Sequence, residues 1–571
     1  MKPQSALTDN DLPLQRLYRW EGEAGDRIFL TQPYGGGKVR DWTWSQAAGE
    51  VRRVAAYLRA RNWEPGSRIA ILSKNSAWWI MADLAIWMAG HVTVPVYASL
   101  KPHTVRKILQ HSECTACFIG ATDDPDVPRL GIPGEVDRIL FPTVAQSDGA
   151  NWEDIVRTTD PIADNPVRAA DDLATIIYTS GTTGAPKGVM HRFGALASDA
   201  LSLRETVKAT GADRFISYLP LAHIVERSGL EITTLLLGSR VYFVETINTF
   251  LDDLKRAQAT VFLSVPRLLV KLQQGVFQKM PKEKLERWLH IPFLRGLIKR
   301  KVLSGLGLGS VRLAASGAAP LPTDVLLWYR NLGLELAEGY GMTETMITHL
   351  PRLGQVKPGF VGPALEGVET RVAENGELLV KSPMNLIGYY KEPDATRSAF
   401  DNDGFFHTGD LVSMDSDGQL RIIGRVKEQF KTSKGKYVAP APIEGNLAKH
   451  PAVESCCLMG AGLPNPFALV LLNSEAYARC EDVEARDTLE KSLEAQLESI
   501  NRDLEAHERV AFLAIVEGPW TIANDLITPT FKIRRTKLET RYLDLVDGWV
   551  RQGRRIVWEK APPSSRDGGL T

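Results

Sequence analysis

The run YTSGTTGAPKGVMH over residues 178–191 sets three glycines and four small hydroxyl residues into one short loop, with Lys187 as a cation. Such a loop leaves many backbone N–H groups and hydroxyls free to face an anion, which makes a phosphate cradle. It is not a Walker A loop, because Pro186 stands where the second glycine belongs and Gly188 follows Lys187. A plain surface loop would not concentrate hydroxyls beside the apolar run LATIIY at 173–178. Other chemistries lack their residues. No G-x-S-x-G elbow surrounds Ser180 or Ser316, and no HExxH occurs among the ten histidines. Cys114 and Cys117 form a C-x-x-C, but no second pair stands at zinc spacing and an apolar strand continues through Phe118 and Ile119. Buried inert thiols are the expectation.

More motifs follow in order: SYLPLAHIVER at 217–227, ASGAAP at 315–320, EGYGMTET at 338–345, FFHTGD at 405–410, GRVK at 424–427 and TPTFKIR at 528–534. Together with the loop they resemble the adenylate-forming superfamily of acyl-CoA synthetases, peptide-synthetase adenylation domains and luciferases. The resemblance runs from about Asp41 to Leu538. SYLPLAHIVER and KTSKGKYVAPAPIE (431–444) resemble the long-chain fatty acyl-CoA synthetase branch.

The resemblance implies an ATP site made by Thr179, Ser180, Gly181, Thr182, Thr183, Gly184, Lys187, Ser316, Gly317, Ala318, Glu338, Gly339, Tyr340, Gly341, Thr343, Asp410 and Arg425. The residue types suit those roles. Tyr340 offers a flat face to adenine. Thr343 can hold a phosphate oxygen, and Glu344 is a single hard carboxylate fit for Mg²⁺. Asp410 can accept both ribose hydroxyls, with Arg425 as a matching donor fork. Lys532 is expected to act with Thr343 and Glu344 in catalysis, as a cation between the substrate carboxylate and the α-phosphate. Phe531 precedes it where many members carry glycine. Lys427 is the expected hinge of a rotating C-terminal domain, and Lys434, Gly435 and Tyr437 are expected along the CoA tunnel. His223 and Gly339 are placed at the acyl pocket, with a satisfied core histidine as the competing reading of His223.

These residues need a frame. Short β-branched runs alternate with helical patterns in two stretches. The first contains strands at 68–72, 92–96 and 114–119; the second opens at 173–178 and continues through 215–219, 241–244, 260–265 and 311–315. That alternation predicts parallel sheets with helices on their faces. From about Gly362, Asn-Gly at 375–376 and Asp-Gly at 403–404 and 417–418 predict hairpins. The Asp-rich run 414–418 is a hairpin turn, since its glycine comes too early for an EF-hand. The expected fold class is α/β: a large N-terminal domain (1–424) of two packed α/β subdomains plus a β subdomain, then a small mobile α+β C-terminal domain (425–560). Residues 561–571 are expected to be a disordered tail.

Composition sets the outer bounds. With 68 Lys+Arg against 68 Asp+Glu in 571 residues, the chain carries no overall field to hold nucleic acid. The polar start has no apolar signal-peptide core, and the run at 77–90 is too short to span a bilayer. The expected location is cytoplasmic, peripheral at the inner face of a membrane if the window 281–301 touches lipid. That window carries seven Lys/Arg and two Glu, with Trp288, Phe293, Leu294, Leu297 and Ile298 interleaved. A helix pair lidding the acyl tunnel is the competing reading.

The resemblance implies activation of a medium- to long-chain fatty acid by ATP to an acyl adenylate, then thioester formation with CoA, releasing AMP and pyrophosphate. Fatty acid, ATP and CoA are the expected substrates, Mg²⁺ the cofactor, and a homodimer is left open. Transfer to a carrier-protein phosphopantetheine or another acceptor is the alternative. A catalytically silent nucleotide-binding protein is disfavoured by the intact set Thr343, Glu344, Asp410, Arg425 and Lys532.

Overall fold

A computed structural model describes residues 7–144, 148–180, 186–522, 524–528 and 532–560. Its tertiary contacts divide the chain into two compact units. The first holds residues 7–371, Leu379–His407 and Met414–Leu420; the second holds Val372–Leu378, Thr408–Ser413 and residues 421–560.

In the first unit, the strands Arg68–Leu72, Val92–Val96 and Cys114–Ile119 are apolar runs buried on both faces. That composition suits parallel strands covered by helices. They belong to an eight-stranded sheet with the order Gly388–Tyr389, Pro186–Arg192, Leu173–Ser180, Val92–Val96, Arg68–Leu72, Cys114–Ile119, Asp137–Leu140, Ala150–Asn151. The helix Ala77–Met88 is buried along its whole length, and Ser76 caps it by accepting from the Trp79 N–H. The apolar run at 77–90 is therefore core. Among the described residues, no helix is long and apolar enough to cross a membrane.

The second sheet has seven strands, in the order Leu336–Glu338, Leu313–Ser316, Val261–Ser264, Arg214–Ser217, Arg240–Phe243, Ile28–Pro33, Val39–Thr43. Two features depart from the sequence expectation. Leu173–Ser180 lies in the first sheet, beside Val92–Val96, and does not open the second. An N-terminal hairpin, Ile28–Pro33 with Val39–Thr43, fills an edge of the second sheet by pairing parallel to Arg240–Phe243. The expected turns hold. Asp415 Oδ1 accepts from the N–H groups of Asp417 and Gln419, and Gly418 takes φ +73°. All five cysteines are free and buried, and burial pushes the Cys114 thiol up to about 12.

The second unit is built on a four-stranded sheet, Val453–Met459, Phe467–Leu472, Leu513–Val516 and Ile556–Trp558. The strand Phe467–Leu472 is wholly buried, and its period of two sends alternate residues to opposite faces. Ala468, Val470 and Leu472 pack with Leu493, Leu497 and Ile500 of the helix Val483–Arg502. Phe467, Leu469 and Leu471 pack with Leu538, Tyr542 and Trp549 of Arg535–Gln552. Each fully buried leucine or phenylalanine contributes about 1.5–3 kcal/mol, so the two faces together fix this α+β unit. The expected tail at 561–571 lies outside the described residues.

Candidate active site

In the first unit, the glycine-rich loop joins two antiparallel strands. Thr179 registers opposite Lys187, and Ser180 opposite Pro186. Gly181, Thr182, Thr183 and Gly184 lie outside the described residues. The helix Phe193–Val207 begins only after the returning strand, so no helix N-terminus opens directly from the loop. Lys187 is the described cation at the mouth of this hairpin. Its ammonium lies 4.9 Å from the ring centroid of Tyr389 and 3.8 Å from a Glu392 carboxylate oxygen.

A second hairpin, Tyr340–Met342 with Met346–His349, carries Thr343 and Glu344 in its turn. Gly341 is required there, because a Cβ would stand 2.1 Å from the Met346 carbonyl oxygen. Buried polar side chains hold the turn. His191 Nε2 donates to the Thr343 carbonyl at 2.6 Å, and Asp199 Oδ1 accepts from the Ile347 N–H at 3.3 Å. Ser228 Oγ donates to the other Asp199 oxygen. Burial drives the His191 imidazole down to about 4, so the ring is a neutral Nε2–H donor near pH 7. The Glu344 backbone carbonyl accepts from the Leu386 N–H at 2.8 Å, and its side chain accepts from the Tyr389 hydroxyl at 3.1 Å.

The strands ending at Ser316 and Glu338 are parallel neighbours, and Ser316 registers opposite both Ser264 and Glu338. Ligands of open parallel sheets bind beyond such carboxyl ends. Among the described residues the buried Ser316 hydroxyl has no protein hydrogen-bond partner, and Ala318 takes φ +68° in the turn that follows. Gly317 donates its N–H to Ser264 at 3.3 Å, and Gly339 donates to the Ser316 carbonyl at 2.8 Å. Glu338 clamps the neighbouring loops, its two oxygens accepting from the N–H groups of Leu321 (3.0 Å) and Gly359 (3.3 Å). The Tyr340 ring is half-buried, 5.9 Å from His349.

His223 caps the short helix Ile224–Glu226, its Nδ1 accepting from the Val225 N–H at 3.2 Å. Behind it lies a charged core. Glu226 accepts from Ser217 Oγ at 2.8 Å and the Tyr218 N–H at 3.1 Å, and burial pushes its carboxyl up to about 8. Arg227 Nη2 donates to Asp83 Oδ2 at 2.6 Å, both side chains fully buried, with Trp79 and Trp87 flanking the guanidinium. Burial raises Asp83 and Glu231 together. The Arg227 guanidinium contacts Asp83 and holds it below Glu231, which burial raises further.

In the second unit, Asp410 is 4% exposed and pairs with the Arg425 guanidinium at 2.9 Å. Its turn is fixed by Gly409, at φ +69°, whose N–H donates to Glu377 at 2.9 Å. Lys427 sits exposed in a one-turn 3₁₀ segment, Val426–Glu428, between the strands Leu420–Arg425 and Phe430–Lys431. Lys434, Gly435 and Tyr437 lie on the exposed hairpin that follows. Gly435 takes φ +76°, and a Cβ there would meet no atom within 4 Å. The turn alone thus accounts for the glycine. Lys532 is exposed. The Thr528 N–H donates to the Lys532 carbonyl at 2.8 Å, and the Lys532 N–H donates to Thr528 Oγ1 at 3.1 Å. The neighbouring cations are committed to the fold. Arg534 and Lys537 pair with Asp525, and Arg535 lies against Glu444 at 2.8 Å.

Sequence reasoning missed Tyr389, Glu392 and Asp199 and gave His191 no role. His191 did end the loop motif, opposite Thr175 in the hairpin register. Tyr389 carries no local signal; it reaches the site by pairing with Val189 across the sheet edge.

The family model for the AMP-binding enzyme matches residues 17–390, and the model for the AMP-binding enzyme C-terminal domain matches residues 427–552. The chain belongs to the AMP-binding enzyme family. It is 30% identical to the peroxisomal long chain acyl-CoA synthetase 6 of Arabidopsis thaliana, over 90% of this chain and 83% of that protein. It is 31% identical to the long-chain-fatty-acid–CoA ligase FadD15 of Mycobacterium tuberculosis, over 88% of this chain and 91% of that one. Among solved structures, ATP-bound MatB from Rhodopseudomonas palustris superposes with a TM-score of 0.72 at 26% identity, covering 94% of this chain and 99% of that chain.

Proposed function

We propose that this protein is an ATP-dependent fatty acid–CoA ligase acting on medium- to long-chain acids. The observation that carries the reading is the end-to-end similarity to long-chain acyl-CoA synthetases, joined to the retained set Lys187, Thr343, Glu344, Asp410, Arg425 and Lys532. In the first half-reaction, a carboxylate oxygen attacks the α-phosphorus of ATP, forming the acyl adenylate and expelling pyrophosphate. In the second, the CoA sulfur attacks the acyl carbonyl, the proton leaves the thiol, and AMP departs.

Within the first unit, Lys187 and Thr343 bind phosphate oxygens while the Tyr340 ring lies on adenine. In the second, the Asp410 carboxylate accepts from ribose hydroxyls, and Arg425, already paired with it, fixes its direction. Glu344 suits a magnesium ion: it is one half-buried hard carboxylate, and among the described residues no three His, Cys, Asp or Glu cluster as a metal cage. Such an ion would hold most of its waters and neutralise the phosphates. Lys532 stabilises charge that builds on the α-phosphate as the carboxylate approaches. A C-terminal domain beginning near residue 425, with Lys427 as hinge, would present Lys532 for adenylation and the 431–440 hairpin for thioester formation.

The two steps are separable. Lys532→Ala should abolish most adenylation yet leave thioester formation from a preformed acyl adenylate near wild type, measured by pyrophosphate exchange and acyl-CoA formation. Equal loss of both steps contradicts the assignment.

The helices Lys282–Leu289 and Pro292–Gly305 support a peripheral contact with anionic lipid. Phe293 and Leu297 are 83% and 64% exposed among cations such as Lys284, Arg287 and Arg295. Equal flotation with neutral and anionic liposomes would remove that contact from the account.

A further inference from the structure

We infer that Tyr389 is a positioning residue for the two charged groups of the phosphate site, Lys187 and Glu344, its ring serving one and its hydroxyl the other. The inference rests on the adenylation reading.

The backbone of Tyr389 is fixed from several directions. It pairs antiparallel to Val189, and on either side of it Ile387 and Tyr390 donate their N–H groups to the carbonyls of Met190 and Gly188, at 2.9 and 2.8 Å. Its own N–H donates to Thr396 Oγ1 at 2.9 Å. The preceding Gly388 allows the close approach, since a Cβ there would stand 2.8 Å from Thr396 Cγ2. The side chain packs against the cluster of Val189, Leu386 and Phe406. A phenol held this firmly has little freedom to follow its neighbours, so they must take their places from it.

What it touches is chemically specific. The Lys187 ammonium lies over the ring at 4.9 Å, and Glu392, three residues further on, stands 3.8 Å from the same ammonium. The hydroxyl donates to Glu344 Oε1 at 3.1 Å. Glu392 already stands at ion-pair distance from Lys187, so the Tyr389 ring and hydroxyl each add a hold on one of the two groups from opposite ends of one side chain. A ring face holds a cation without neutralising it. A phenol hydroxyl holds a carboxylate by donating to it, here to Glu344 Oε1. Lys187 thus faces phosphate oxygens, and Glu344 faces a divalent cation, each held by the same side chain.

The two contacts can be removed separately. Tyr389→Phe keeps the ring and deletes the hydroxyl; Tyr389→Leu deletes both. Calorimetric titration of ATP in EDTA reads the Lys187 contact, and electron paramagnetic resonance titration of Mn²⁺ into protein saturated with a non-hydrolysable ATP analogue reads the Glu344 contact. Tyr389→Phe should bind metal-free ATP within about twofold of wild type and bind Mn²⁺ about fivefold more weakly, and Tyr389→Leu should weaken both by about fivefold. A purely structural tyrosine would lower the urea midpoint and both affinities in parallel in both variants, which overturns the inference. Unchanged affinities in both variants overturn it too. Wild-type protein that binds no ATP overturns the adenylation reading, and this inference with it.

Discussion

The buried pair Arg227–Asp83 gives a stability prediction whose size follows from its surroundings. Both side chains are fully buried, 2.6 Å apart, on the helix Ala77–Met88 and on the segment that follows His223. Arg227→Met keeps most of the side-chain volume and leaves Asp83 without its cation. At an effective dielectric of about 20, two charges at this separation attract by about 6 kcal/mol, but Asp83 need not remain charged. It can take a proton. Holding it protonated at pH 7, about three pH units above its ordinary value of 3.8, costs about 4 kcal/mol. That route caps the loss, which we set at about 3–4 kcal/mol, within the range for broken buried pairs.

The same reasoning fixes the pH dependence. In the variant, loss of the guanidinium raises the Asp83 folded-state value further above its unfolded one. The folded form therefore binds the extra proton, and the deficit deepens as pH rises from about 4. Urea unfolding followed by tryptophan fluorescence should show the deficit shrinking by about 1.4 kcal/mol for each pH unit lowered between about pH 7.5 and pH 5.5. Groups that do not face Arg227, such as Asp199 and Glu226, cancel in the difference; Glu231 and His191, which do face it, do not. Adding Asp83→Asn should restore most of the stability. A deficit below about 1 kcal/mol, a deficit independent of pH, or a double variant no better than the single one would refute the reasoning.

Two further outcomes follow from the site. His191→Phe removes the donor that holds the Thr343 carbonyl, so adenylation should fall about 10- to 100-fold while thioester formation from a preformed acyl adenylate stays within about twofold; equal loss in both half-reactions would contradict a role at the phosphate turn. Gly435→Ala meets no atom within 4 Å but is forced to φ +76°, so it should cost about 1–2 kcal/mol and raise the KM for CoA several-fold with adenylation intact. An unchanged KM alongside the stability loss would remove Gly435 from the CoA path.

Sequence legibility divided along physical lines. Motifs that carry their own backbone geometry were readable, because a turn such as Asp415–Gly418 or the Gly409–Asp410 corner is dictated by neighbouring residues. Apolar runs announced their strands, since a strand buried on both faces must be continuous in Val, Ile and Leu. Pairing was not readable. Nothing local tells Leu173–Ser180 to join the first sheet, or sends Ile28–Pro33 to lie beside Arg240–Phe243 about 200 residues later. The supports of the site were hidden for the same reason. Nothing local in the apolar helix tells Asp83 that Arg227 will stand opposite it, and Tyr389 lies in a two-residue edge strand with no period to read. Buried Asp199 sits in a helix with little amphipathic pattern, its partners on two other elements.

The central claim is that one protein joins a fatty acid to CoA at the expense of ATP through an adenylate. The most direct measurement is a single reaction with ATP, magnesium, CoA and saturated fatty acids graded in chain length, with AMP, pyrophosphate and acyl-CoA quantified by mass spectrometry. The account predicts AMP and acyl-CoA in equal amounts, dependent on CoA, with a preference for medium or long chains. Pyrophosphate and acyl adenylate accumulating without acyl-CoA for any chain length would contradict it.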